Sequence, residues 1–195
     1  MIKLLLLGDT NVGKSSMVYY FSKNKMLTNP LATVGIDFVP VRNTENNVYA
    51  HVWDTGGLEK FQCITRHYYS GAQCVMIVYD ASLDTGAYAQ IVNWYEEIIV
   101  MCGDHSLDNI AIMIVGNKCD TLPTLHERIP EDLQPLMSRY KNMMHMYTSA
   151  KTGKNIHKAF TKLLSSARTR MNSPLLNKRT KIVLERPRQV MHCCY

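Results

Sequence analysis

The sequence predicts an α/β fold: a doubly wound, mostly parallel sheet of six strands with one antiparallel edge strand and helices on both faces. Three observations carry this expectation. Short apolar runs alternate with stretches of helical spacing, two of the runs are joined by a short polar turn, and the polar motifs fall directly after the runs. In sheets of this kind ligands sit beyond the carboxyl ends of the strands.

The elements follow in order. Ile2–Leu7 is an apolar run ended by Gly8, a buried strand. A short helix continues from Lys14 through Val18 and Phe21. Ile36–Val41 and Val48–Val52 flank the polar turn Thr44-Glu45-Asn46-Asn47, the pattern of an antiparallel hairpin. Val75–Tyr79 and Ile110–Val115 are two further strands, with a helix marked by Ile91, Val92, Tyr95, Ile98 and Ile99 between them. Met143–Thr148 supplies the last strand. Ile156, Ala159, Phe160, Leu163, Leu164 and Ala167 recur at helical spacing and give a closing amphipathic helix.

A chain of 195 residues accommodates one domain with an appendage. Its 46% hydrophobic and 19% charged content is ordinary for a soluble globular protein. The net charge of +6 is unevenly placed: residues 1–167 are neutral in sum, and the last 28 residues carry all of it. A neutral globular part argues against nucleic acid as a partner, which would require a basic face on the domain itself. The division expected is a globular domain over 1–170 and a flexible basic tail over 171–195, where Pro174, Pro187 and the charges end any packing pattern. Cys63, Cys74, Cys102 and Cys119 lack metal-ligand spacing and read as reduced thiols. Neither a signal peptide nor a run of about 20 apolar residues is visible.

The strongest motif is "GDTNVGKS", Gly8 to Ser15, which fits G-x-x-x-x-G-K-[ST] between a strand and a helix. Backbone N–H groups of Asp9, Thr10, Asn11, Val12 and Gly13, with the helix start at Ser15 and Ser16, would cradle a polyphosphate. Lys14 would reach the β- and γ-phosphates, and Ser15 would ligate Mg²⁺. The base is indicated by "VGNKCD" (115–120) and "TSAKTG" (148–153). Asp120 can accept from the N1–H and 2-amino group of guanine, a donor pair that adenine lacks. Asn117 would tie the loops together and Lys118 would lay its stem along the base. Behind them Ser149-Ala150-Lys151 supports the assignment, with the Ala150 N–H available to the guanine carbonyl oxygen.

At these residues the chain resembles the Ras superfamily of small GTPases, and within it the Rab family, over about residues 1–170 and again at the last few. "VGIDF" (34–38), "VWDTGG" (52–57), "KFQCIT" (60–65), "YYSGA" (68–72) and "IVYDAS" (77–82) carry the likeness. The resemblance implies a single P-loop domain using GTP, GDP and Mg²⁺. It implies that Thr33 closes on Mg²⁺ and the γ-phosphate, that Asp54 holds a Mg²⁺-bound water, and that the Gly57 N–H senses the γ-phosphate. Residues around 26–38 and 55–70 would be switches. Phe38, Trp53 and Tyr68 fall where Rab proteins present an aromatic triad to effectors, although such a trio also fits an ordinary core cluster. The partners implied are an exchange factor, a GTPase-activating protein, effectors, a prenylation chaperone and a GDP-dissociation inhibitor. The place implied is the cytoplasmic face of an intracellular membrane, with a cytosolic pool.

Several positions depart from the family pattern. Leu58, in "DTGGLEKF", occupies the place of the glutamine that orients the attacking water, and leucine can neither donate nor accept a hydrogen bond. Slow hydrolysis with intact GTP binding is the expected result, unless a partner supplies the missing group. Thr10 crowds the same region. Met26 replaces an aromatic usually packed on the base, Pro30 replaces a switch aromatic, and Gly56 replaces the usual alanine. A non-enzymatic scaffold that remains GTP-loaded is the alternative to a cycling switch. A P-loop kinase would need an Arg-rich lid and leaves Asn117 and Asp120 unexplained. The ending His192-Cys193-Cys194-Tyr195 has no cysteine fourth from the end. Cys193 and Cys194 instead resemble the double prenylation site of Rab proteins, where two lipids and a basic tail give stable anchoring.

Overall fold

The structure is a computed structural model and describes residues 1–45, 47–56, 69–83, 87–102, 109–122, 129–140 and 143–172. Six strands form one sheet in the order β2-β3-β1-β4-β5-β6. They are β1 (Ile2–Leu7), β2 (Ile36–Asn43), β3 (Val48–Thr55), β4 (Cys74–Asp80), β5 (Ala111–Asn117) and β6 (Met143–Tyr147). Only β2 and β3 pair antiparallel; β1 pairs with β3 and β4, β4 with β5, and β5 with β6, all in parallel. Among the described residues four α-helices accompany them: α1 (Lys14–Lys23), α2 (Ala87–Cys102), α3 (Gln134–Arg139) and α4 (Ile156–Met171).

Every residue of β4 and β5 is buried, and β1 is buried apart from Lys3. Continuous apolar runs are what a parallel strand covered on both faces requires. Side chains alternate across the sheet. Leu4 and Leu6 join Val52, Met76 and Met113 in a layer completed by Phe21 of α1 and by Phe160 and Leu163 of α4. Leu5 and Leu7 face the other way, with Val75, Ile77 and Ile114 against Ile91, Trp94 and Ile98 of α2. Phe21 and Phe160 stack with centroids 4.4 Å apart, and Phe160 is fully buried. Truncating it to alanine would cost about 3–5 kcal/mol.

β3 continues through Asp54 and Thr55, beyond the end expected at Val52. Thr55 pairs with Ile36 and its hydroxyl donates to the Leu6 carbonyl at 2.6 Å, so a polar residue is satisfied inside the sheet. The helix α3 was not apparent from periodicity; it holds Leu136 inward directly after a turn that buries Leu133. Reduced Cys74 and Cys119 are buried and Cys102 is half-buried. Among the described residues no helix is long and apolar enough to cross a membrane.

Candidate functional site

From β1 the sheet extends to β3 on one side and to β4 on the other, so β1 ends at the point where the topology reverses. The Gly8–Ser15 loop leaves the sheet there, where a crevice forms between the diverging connections. Two glycines shape it. Gly8 (φ +138°) lies so close to β4 that a Cβ would collide with the Val78 carbonyl oxygen. Gly13 (φ +96°) caps α1, and a Cβ there would collide with the Asn117 side-chain amide. Both left-handed geometry and close approach exclude a side chain.

Lys14 is 5% exposed and its ammonium donates to the carbonyls of Gly8 at 2.7 Å and Asp9 at 2.8 Å. Burial lowers its pKa to about 8, while Asp54 and Asp9 act in the opposite sense. An anion placed beside it would raise the pKa again and further favour the charged form. Asp54 is buried, and burial raises its carboxyl to about 6, against the Ser15 hydrogen bond and Lys14 that favour its ionised form. Its Oδ1 has no hydrogen-bond partner among the described residues. Ser15 Oγ and Thr33 Oγ1 are 2.8 Å apart. Thus Lys14, Ser15, Thr33 and Asp54, expected from separate motifs, do come together. Thr10, Asn11, Gly13, Ser16 and Thr33 line one cleft of about 300 Å³.

A second cleft of about 270 Å³ adjoins it and shares Asn11, Gly13, Ser16 and Pro30. Its remaining walls include Met26, Asn117, Lys118, Asp120, Ala150 and Lys151. Asn117 links the loops: its amide donates to the Val12 carbonyl at 2.8 Å, and its Oδ1 accepts from Thr148 Oγ1 at 3.3 Å and from the Ala150 N–H at 3.1 Å. The Ala150 N–H, expected to be available for a base, is therefore already directed at Asn117. Ser149 Oγ donates to Asp120 Oδ1 at 2.6 Å, and Lys151 lies 3.9 Å from the other oxygen. Lys118 has a left-handed backbone (φ +63°), and its ammonium reaches Asp80 at 2.7 Å. Although burial raises the Asp80 pKa, hydrogen bonds from Lys118 and Ser82 hold it below the ordinary carboxylate value. Sequence reasoning did not find Asp80, whose role depends on the register that sets it beside Asn117.

Phe38 and Trp53 pair across β2 and β3 with their rings edge-on at 5.1 Å, and Phe38 is 47% exposed. Gly57, Leu58, Tyr68, Cys193 and Cys194 lie outside the described residues, as do Cys63 and Asn46.

The fold and the two joined clefts define a phosphate-loop nucleotide-binding protein, and comparison with known proteins narrows the class. Residues 3–169 match the family model described as the Ras family. A tobacco (Nicotiana tabacum) protein named Ras-related protein Rab11B is 36% identical over 167 residues, covering 85% of this chain and 74% of the relative. Ras-related protein RABD2a of Arabidopsis thaliana is 34% identical, covering 89% and 83%. Ras-related protein Rab-8B of Dictyostelium discoideum is 34% identical, covering 88% and 82%. The chain belongs to the Rab family of small GTPases in the Ras superfamily, proteins that bind guanine nucleotides and hydrolyse GTP.

Proposed function

We propose that this protein is a GTP-regulated membrane switch that recruits effectors in vesicle traffic, and that its intrinsic hydrolysis is slow. The observation that carries the nucleotide site is the junction of the two clefts at Asn11, Gly13, Ser16 and Pro30, bridged by the Asn117–Val12 hydrogen bond. Lys14, with the N–H groups of residues 9–13, binds the phosphates. Asp120, oriented by Ser149, reads guanine, while Lys118 is held by Asp80 against the base.

A magnesium ion fits the donor set, because buried Asp54 keeps one oxygen without a partner among the described residues and interacts with Ser15, whose hydroxyl lies 2.8 Å from that of Thr33. Among the described residues no group of three or more His, Cys, Asp or Glu could hold a metal. Hydroxyls, water and phosphate oxygens would therefore complete the shell, with Asp54 acting through a water. When bound, the ion neutralises charge on the β- and γ-phosphates. By the family pattern the Gly57 N–H would sense the γ-phosphate, and Thr33 would leave when that phosphate is lost.

Leu58 supplies no group to orient the attacking water, which favours a long GTP-bound lifetime. That same substitution favours a second reading, a scaffold kept in the GTP state. Exposed Phe38 with Trp53 forms the effector face, and Tyr68 falls at the third position of the Rab aromatic triad. Cys193 and Cys194 carry the lipids, and the partners are an exchange factor, a GTPase-activating protein, a prenylation chaperone and a GDP-dissociation inhibitor.

Single-turnover phosphate release from preloaded GTP tests the role of Leu58. Leu58→Gln should accelerate release about tenfold or more, corresponding to at least ~1.4 kcal/mol of barrier, with little change in GTP affinity. Adding Thr10→Gly should raise the rate further if both side chains crowd one water. A wild type already as fast as Leu58→Gln would eliminate the slow-switch reading.

A further inference from the structure

We propose that Trp94 is a positioning residue for the phosphate loop, acting through Asp9 on the carbonyl groups that hold Lys14. This inference rests on the nucleotide-site reading above. Trp94 lies in the middle of α2, 7% exposed, in the core layer between α2 and the sheet. An indole N–H is a donor only, and once buried it needs an acceptor. The acceptor is Asp9 Oδ1, at 2.8 Å and 85 residues away in sequence. A carboxylate acceptor makes this a charge-assisted bond, stronger than a neutral pair.

Asp9 is also the residue whose carbonyl receives the Lys14 ammonium at 2.8 Å. Lys14 has three N–H donors, and the Gly8 and Asp9 carbonyls take two of them. The direction of the third, toward an anion in the cleft, is therefore fixed by where the backbone of residues 8 and 9 lies. Gly8 is fixed by its closeness to Val78. Asp9 is held through its side chain, which accepts from Trp94. One residue of α2 thus completes the seat of the phosphate-loop lysine. In the base half of the cleft Ser149 orients Asp120, and Asn117 meets the phosphate loop at Val12 rather than at Asp9.

The test measures release of radiolabelled GDP into excess unlabelled GDP for wild type, Trp94→Phe, Asp9→Leu and the double variant. Each single change should accelerate release about tenfold, the scale of one hydrogen bond to a charged group. The double variant should release no faster than the faster single, because both remove one bond. Preference for GDP over inosine diphosphate should stay at the wild-type ratio, since a general loosening of the domain would erode it and a phosphate-loop effect does not. Release from Asp9→Leu at the wild-type rate, or single effects that multiply in the double variant, would overturn the proposal. If Trp94→Phe loses its far-ultraviolet circular dichroism, Asp9→Leu decides the matter alone, because it leaves the core side chain in place. A wild type that fails to retain GDP removes the nucleotide reading together with this one. A wild type that retains GDP beside variants that release it equally slowly removes only the role of Trp94.

Discussion

Asn117 and Val12 are joined by a 2.8 Å hydrogen bond from the side-chain amide of one to the main-chain carbonyl of the other, across 105 residues of chain. The bond crosses above Gly13, and the missing Cβ at Gly13 is what makes room for the amide. One contact therefore holds the base-side loop at a fixed distance from the phosphate loop. A ligand that fills both clefts meets a prearranged spacing and pays less ordering entropy on binding.

Gly13→Ala should break that link by collision with Asn117 and by strain at φ +96°. Affinity for both GDP and GTP should fall by about tenfold or more, measured by isothermal titration calorimetry. Dissociation constants equal to wild type would mean the bridge is not needed for binding.

Asp120→Asn should weaken guanine binding and shift preference toward xanthine, whose 2-oxo group replaces the 2-amino donor. Ser149 donates to Asp120 Oδ1, so an asparagine placed there can keep its oxygen toward Ser149 and present its amide to the base. Competition between GDP and xanthosine diphosphate reads the change. An unaltered ranking would dismiss Asp120 as the reader of the base.

His145 makes stability depend on pH. Burial lowers its pKa to about 4, and its Nε2 lies 3.1 Å from the Tyr79 hydroxyl. The folded value lies below the unfolded one of 6.5, so the folded state prefers the neutral ring. Its contribution is full above about pH 6.5 and is lost as pH falls toward about 4, by up to about 3 kcal/mol. Urea unfolding at pH 7.5 and pH 5 should show wild type losing more stability than His145→Phe. Equal losses would place the acid sensitivity elsewhere.

Replacing Cys193 and Cys194 by serine should release the protein from membranes while nucleotide affinity stays at the wild-type level. The basic tail alone should then bind anionic vesicles weakly and in a salt-sensitive way. Fractionation at physiological salt gives the answer, and a double variant still on membranes would rule out lipid on these cysteines as the anchor.

The sequence made the sheet legible because β1, β4 and β5 are covered on both faces and need uninterrupted apolar runs. The end of β3 was harder, since Asp54 and Thr55 look like a break until Leu6 supplies an acceptor from another strand. The same limit applies within the site. Gly8–Ser15, Asn117 and Asp120 announce themselves by spacing. Trp94 reads as a core aromatic and Asp80 as a strand end, and only the register that sets α2 and β4 beside the loops turns them into partners of Asp9 and Lys118. The destination of the Ala150 N–H was likewise settled by an atom 33 residues away.

β2 has consequences beyond framing the hairpin. It is an outermost strand of the sheet, and its free side is a template on which another chain could add a strand and begin to aggregate. Pro40 lies in the middle of β2 and brings no N–H to that side, and exposed Asp37 and Arg42 put charges along it. The strand that leaves Phe38 exposed thus carries its own gatekeepers against self-assembly. Replacing Pro40 with a β-branched residue would remove one of them at no cost to the nucleotide clefts, and the penalty would be solubility.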